Sequence, residues 1–150
     1  MTGYLKGTDS PVSQAYALAL LDLDGVVYRG KNPVAHASTS IHKAESLGMT
    51  MEYTTNNSSR FQSVVAKQLR GFDLQVEDWQ IITSSVVAAR MVTRHTDPHD
   101  SVLVVGAPHL RDEVAKQGLH IVDEAQCNPH AVIQGWYPEM SWNELAQASF

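Results

Sequence analysis

The sequence predicts an α/β fold built on a mostly parallel sheet, and three patterns carry that reading. Short apolar runs alternate with amphipathic stretches of helical spacing. Glycines close several of those stretches, as at Gly48 and Gly118. No internal repeat or low-complexity segment interrupts the alternation. Strand–helix units of this length pack as parallel strands with helical crossovers.

Taken in order, Tyr16 to Leu21 is an apolar run that stops at Asp22, the mark of a buried parallel strand. Val34 to Leu47 reads as a helix ended by Gly48, and Met49 to Thr54 as a second strand. A helix is expected from about Arg60 with Ser59 as its cap, because Phe61, Val64, Val65, Leu69 and Phe72 fall on one helical face. Asp78 to Ile82 predicts a third strand, followed by a helix from Ser84 or Ser85 to about Arg94. The polar stretch from His95 to Asp100, with Pro98 inside it, is the best linker. Beyond it the pattern restarts with a strand at Ser101–Val105, a Gly106-Ala107-Pro108 turn, and a helix from Leu110 to Gln117. Strands at Leu119–Val122 and Ala131–Ile133 follow, then a helix from Ser141 to Ala148 with Ser141 and Glu144 spaced as a capping box.

Composition sets limits on function. Of 150 residues, 43% are hydrophobic and 18% charged, which is globular rather than disordered. The net charge of −5 with no basic stripe argues against nucleic acid as a partner. No apolar run is long enough for a bilayer, no signal-peptide pattern opens the chain, and Cys127 is the single cysteine, so the expected location is cytoplasmic.

Ligands of open α/β sheets bind at the carboxyl ends of strands. There Leu21-Asp22-Leu23-Asp24-Gly25 places two carboxylates two residues apart. Their repulsion calls for a cation, and hard carboxylate oxygens suit magnesium. One carboxylate can attack phosphorus while the other handles the leaving-group proton. Gly25 lets the backbone turn sharply and approach the substrate. Thr54-Thr55-Asn56-Asn57-Ser58-Ser59-Arg60 ends the second strand with hydroxyls and amides just before a helix, a ready anion site.

Together, Asp22-Leu23-Asp24-Gly25-Val26-Val27 and Thr54-Thr55-Asn56-Asn57 resemble the first two motifs of the haloacid dehalogenase-like (HAD) superfamily. The closest branch is the class IIA phosphatases, which include p-nitrophenyl-phosphatase-like, phosphoglycolate and glycerol-phosphate members. Tyr28-Arg29-Gly30 and Thr55 to Arg60 are similar to actinobacterial members. The resemblance implies a Rossmann-like core over residues 1–97 and the first part of an α/β cap over residues 98–150. It implies a magnesium-dependent hydrolase of small phosphorylated metabolites that works through an aspartyl-phosphate. Asp22 would be nucleophile and metal ligand, and Asp24 the general acid/base with its carbonyl also on the metal. Thr55 would hydrogen-bond the phosphoryl group, and Asn56 would help to position it.

Two further family motifs, a Gly-Lys-Pro lysine and an acidic Gly-Asp stretch, do not occur. The expectation is therefore an N-terminal fragment of low activity alone, with sheet edges open to homo-oligomeric association. A catalytically incomplete HAD-fold interaction module and a receiver-like phosphoacceptor are the rival readings. Among other residues, His95 and His99 straddle Pro98 and suggest no zinc helix, and His36 and His42 belong on an exposed helix. Trp136, Tyr137 and Trp142 are expected in the core of the cap.

Overall fold

The computed structural model describes residues 11–149. Along them run α1 (Val12–Ala15), β1 (Leu18–Asp22), β2 (Tyr28–Arg29), β3 (Asn32–Pro33), α2 (Ala37–Ser46), β4 (Thr50–Thr55) and α3 (Gln62–Arg70). There follow β5 (Ile81–Thr83), α4 (Ser84–Val92), β6 (Ser101–Val105), α5 (Pro108–Ala115), β7 (His120–Val122), β8 (Ala131–Gln134) and α6 (Trp142–Gln147). The strands form two parallel three-stranded sheets, β1-β4-β5 and β7-β6-β8, plus a short antiparallel hairpin of β2 and β3. The α/β class predicted from the alternation is the class the chain adopts.

Strand periodicity builds the first core. Ala19 and Leu21 of β1 stand beside Met51 and Tyr53 of β4, and paired residues of parallel strands share a face. That face is covered by Ile41 of α2 and by Val65, Ala66 and Leu69 of α3. Val64, expected on the packing face of α3, is 48% exposed. Ala66 takes the contact instead, a side chain small enough to let the helix approach closely.

β1 is not the fully buried strand expected from its apolar run. Leu18 and Leu20 are 46% and 59% exposed. It has β4 as a neighbour on one side, and α2 and α3 cover only the opposite face. β6, by contrast, lies between β7 and β8, and Val102 to Val105 are all buried. The same kind of apolar run thus serves two different positions in a sheet.

The segment Asp78–Ile82 is not one strand. Asp78–Gln80 forms a single 3₁₀ turn, closed by Gln80 accepting from the Glu77 N–H at 2.9 Å, and β5 begins at Ile81. Local side-chain bonds here compete with the ladder and win the first three residues. The β2–β3 hairpin and α1 had no clear sequence signal, being two to four residues long.

The second core joins Val102 and Val104 of β6, Leu110 and Val114 of α5, Ile133 of β8 and Ala89 of α4. Ala88 and Val92 of α4 pack against the same cluster. Trp136 and Trp142 are not core residues: they are 64% and 82% exposed. In α6 the partly buried residues are Leu145, Ala146 and Gln147, while Trp142 opens the helix on its outer side. The Ser141–Glu144 capping box forms as the spacing predicts. His42 is half-buried rather than exposed, its Nε2 sealed without a partner.

Tyr53 carries a hydroxyl sealed in the first core with no hydrogen-bond partner. Burial, with a smaller push from Glu45, raises its pKa to about 12. An unpaired buried hydroxyl opposes folding, so Tyr53→Phe is expected to be neutral or to stabilise by up to about 1 kcal/mol in urea denaturation. Destabilisation by more than about 2 kcal/mol would show that the hydroxyl is satisfied after all.

Candidate active site

Asp22 is the last residue of β1 and Asp24 follows two positions later. Leu23 between them has no exposed surface, so it anchors the turn in the core while both flanking aspartates stay exposed. The turn closes on the Leu23 carbonyl, which accepts from the N–H groups of Val26, Val27 and Tyr28 at 3.3, 2.9 and 3.1 Å. Gly25 has φ +83° and donates to the Tyr28 carbonyl at 2.7 Å. A Cβ there would meet nothing within 4 Å, so glycine is needed for its left-handed backbone and not for space.

β4 delivers the second half of the site. Asp22 pairs with Thr54, and Thr55 pairs with Thr83, so the carboxyl ends of β1, β4 and β5 lie side by side. Thr54 Oγ1 donates to the Leu21 carbonyl at 3.3 Å. Thr55 is buried, and its Oγ1 accepts from the Asn57 N–H at 3.2 Å. Asn57 Oδ1 accepts from both the N–H and the hydroxyl of Ser59, at 2.9 and 2.8 Å. From α4, Ser84 and Ser85 donate to the carbonyls of Asn56 and Ser58, at 2.9 and 2.8 Å. The loop after β4 is therefore held by side chains at almost every residue.

The helix after this loop departs from the sequence reading. α3 begins at Gln62 with Phe61 in the cap position and no side-chain cap. Ser59 lies two residues before that cap position, and its hydroxyl donates to Asn57 within the loop. The Gln62 side chain instead reaches across to the Ile81 carbonyl and ties the helix start to β5.

Asp22, Thr55 and Asn56 line one open cavity of about 570 Å³ together with Thr54 and Ser84, and Val87, Ala88 and Met91 of α4 form its apolar wall. Asp24 and Gly25 lie beyond its wall, in the turn that follows β1. Beside them sits Tyr28, buried against Phe72 with ring centroids 6.2 Å apart. Burial raises the Tyr28 pKa, Arg60 opposes the shift, and the Asp24 and Asp22 charges add to it. Arg60 in turn donates to Gln68 at 2.8 Å, and Gln68 to the Gly30 carbonyl at 2.9 Å, which braces the β2–β3 hairpin next to the aspartates.

Asp22 and Asp24 supply hard oxygen donors of the kind magnesium takes, and magnesium commonly binds through one or two carboxylates while keeping several waters. Among the described residues no third His, Cys, Asp or Glu joins them in a cluster. The residues present fit such an ion as a partly hydrated one.

Thr83 and His109 are the residues that the sequence did not single out. Thr83 Oγ1 lies 3.0 Å from His109 Nε2, and both side chains are sealed from solvent. Burial lowers the His109 pKa, Glu113 and Asp112 raise it less, and Lys116 adds to the lowering. An unfolded histidine titrates near 6.5, so below that pH the unfolded chain takes up a proton that folded His109 resists. This contribution to stability is full above about pH 6.5 and is lost as pH falls below it. The urea midpoint of the wild type should accordingly fall more between pH 7.5 and 5.5 than that of His109→Gln. Equal falls would remove His109 from the pH response.

The parallel sheet thus ends its first strand in an Asp-X-Asp-Gly turn, beside a Thr-Asn loop on the next strand. The haloacid dehalogenase-like hydrolase family matches residues 19–120. The chain belongs to that family, in the branch of the class IIA phosphatases. It is 35% identical over 140 residues to the D-glycerol 3-phosphate phosphatase of Mycobacterium tuberculosis, covering 92% of this chain and 38% of the relative. A 5'-nucleotidase of Bacillus subtilis is 30% identical over 106 residues, covering 71% of this chain and 41% of the relative. Among solved structures, the M. tuberculosis glycerol phosphate phosphatase in complex with magnesium superposes with a TM-score of 0.85 at 32% identity, over 92% of this chain and 41% of that one. A p-nitrophenyl phosphatase from Archaeoglobus fulgidus gives 0.75 at 25% identity, over 87% and 49%. The chain thus spans about half or less of the length of these relatives.

Proposed function

We propose that the protein hydrolyses phosphate monoesters of small metabolites, with Asp22 as nucleophile and Asp24 as general acid/base. The observation that carries this reading is the register of β1, β4 and β5, which brings Asp22, Thr55 and Asn56 into one cavity. The Asp22 carboxylate attacks phosphorus, and Asp24 gives a proton to the departing alkoxide and later takes one from water. Thr55 and Asn56 hold the phosphoryl oxygens, and Gly25 lets the turn close under them. Magnesium, held by Asp22 and Asp24, would offset the charge of the phosphoryl group when bound.

The magnesium complex of the M. tuberculosis phosphatase supports that choice of ion, and the name of that enzyme suggests glycerol phosphate as the first substrate to try. We assign the protein to the cytoplasm on its lone, exposed cysteine; no helix among the described residues is long and apolar enough to cross a membrane. Nucleic acid is not an expected partner at a net charge of −5, and the exposed face and open edge of β1 favour self-association. We divide the chain into a core over 1–97 and the start of a cap over 98–150, because β5 still pairs with β4 whereas β6 opens a new sheet.

One observation favours a second reading, a HAD fold that binds without turning over: no lysine or arginine lines the cavity among the described residues. A cation that stabilises phosphoryl charge is commonly worth several kcal/mol of barrier, so turnover by the chain alone should be very slow. The test is magnesium-dependent binding of beryllium fluoride, a phosphoryl mimic, followed by fluorine NMR, with phosphate release from D-glycerol 3-phosphate measured in parallel. Binding with slow turnover supports the proposal. No binding at any magnesium concentration sinks it.

A further inference from the structure

Where the two sheets meet, three polar side chains are closed off from water. Thr83, His109 and Glu113 are 0%, 1% and 5% exposed. Thr83 Oγ1 accepts from the Val86 N–H at 3.3 Å, which caps α4, and shares a hydrogen bond with His109 Nε2 at 3.0 Å. His109 Nδ1 faces Glu113 Oε1 at 3.9 Å, beyond hydrogen-bond distance, and is buried without a partner. Glu113 Oε1 is in turn held by Lys116 Nζ at 2.6 Å. The Phe61 ring, at the start of α3, tilts against the imidazole with centroids 5.0 Å apart.

Hydroxyl, imidazole and carboxylate in this order can activate a nucleophile, but Thr83 exposes no surface to any substrate. The Thr83 hydroxyl and His109 Nε2 satisfy each other, and a buried polar pair that is satisfied fixes one arrangement of the chain. This arrangement joins α5 of the second sheet to the last residue of β5, and that residue is the register partner of Thr55. A second clasp lies on the other side of the same loop. Ser58 Oγ accepts from the Trp136 N–H at 3.0 Å. Gly135 is tight against it: a Cβ there would stand 2.9 Å from Ser58 Oγ.

We propose that His109 is a positioning residue, which through Thr83 fixes the carboxyl ends of β4 and β5 and so holds Thr55 and Asn56 in place for phosphoryl recognition. The proposal rests on reading Thr55 and Asn56 as the phosphate cradle. His109 and Trp136 grip that cradle from the second sheet at two points, and the strand ends lose one of them when the imidazole is removed.

The test is residue-resolved amide hydrogen exchange on the full chain. In His109→Leu, the amides of Thr54, Thr55, Ile82, Thr83 and Val86 are expected to exchange at least tenfold faster relative to those of Ala19 and Met51. A residue with a merely structural role would speed all of them together. His109→Gln, which returns a hydrogen-bonding atom near the place of Nε2, should bring the ratio back to within threefold. Thr83→Val, which also removes the cap of α4, should lose at least as much as His109→Leu, and the double variant no more than Thr83→Val. Uniform loss, no loss, or failure of the Gln rescue overturns the proposal, and the Thr83→Val pair decides it if His109→Leu does not fold. Exchange is read without ligand, so it stands apart from the phosphatase reading. Beryllium fluoride binding that is lost in Asp22→Asn but unchanged in His109→Leu would overturn the positioning role alone.

Discussion

Asp22→Asn is expected to abolish magnesium-dependent capture of beryllium fluoride and to lower phosphoryl transfer by more than about a thousandfold, or about 4 kcal/mol of barrier. The amide has nearly the same shape as the carboxylate, so the β1 turn, which closes on the Leu23 carbonyl and Gly25, should be unaffected. What changes is chemistry. An amide oxygen is a poor nucleophile towards phosphorus, and the substitution removes the negative charge that a divalent ion needs. Asp24→Asn should separate from it, keeping beryllium fluoride binding within about tenfold while impairing turnover, because a general acid/base contributes typically 10²–10⁴-fold. If Asp22→Asn bound the mimic as tightly as the wild type, Asp22 could not be the residue that carries the phosphoryl group.

Leu69→Ala is the second large effect. Leu69 has no exposed surface and packs with Val65 and Ala66 against β4. Its carbonyl also accepts from the N–H groups of Phe72 and Leu74, at 2.9 and 3.3 Å, closing the end of α3. Truncating a buried leucine removes apolar contact and leaves a cavity, at about 2–5 kcal/mol. Against a total stability of about 5–15 kcal/mol for a typical domain, that is enough to populate unfolded chain at moderate temperature. The urea midpoint should fall accordingly, whereas Val87→Ala, at a position 44% exposed, should lose less than about 1 kcal/mol. Equal effects from the two would mean that α3 is not seated as described.

The aspartates, Thr55 and Asn56 were legible because their signal is local. Asp22 ends an apolar run and Thr55 ends an alternating strand, and a strand that stops abruptly places its next residues at the carboxyl edge of the sheet. β6 was legible to the residue, since a run of valine and leucine lies between Asp100 and Gly106. Other features depend on what the chain meets in space. The half-exposure of β1 goes with its having β4 as its one neighbour among the described residues, which an apolar run does not reveal. Ser59 had every credential of a helix cap, but α3 starts two residues further on, with Phe61 in the cap position. Thr83 and His109 are 26 residues apart, and neither lies in a motif. Their bond exists because two sheets pack together, which no local pattern encodes.

α4 has a consequence of its own. Thr83 caps it from the first sheet, its serines hold the loop after β4, and its alanines sit in the core of the second sheet. One helix is therefore common property of both halves. Neither half can melt while leaving α4 fully native for the other, so the two cores share a cooperative unit. Free energy lost in one half is felt as weakened order in its neighbour, and a substitution far from the aspartates can reach them by loosening the helix they share.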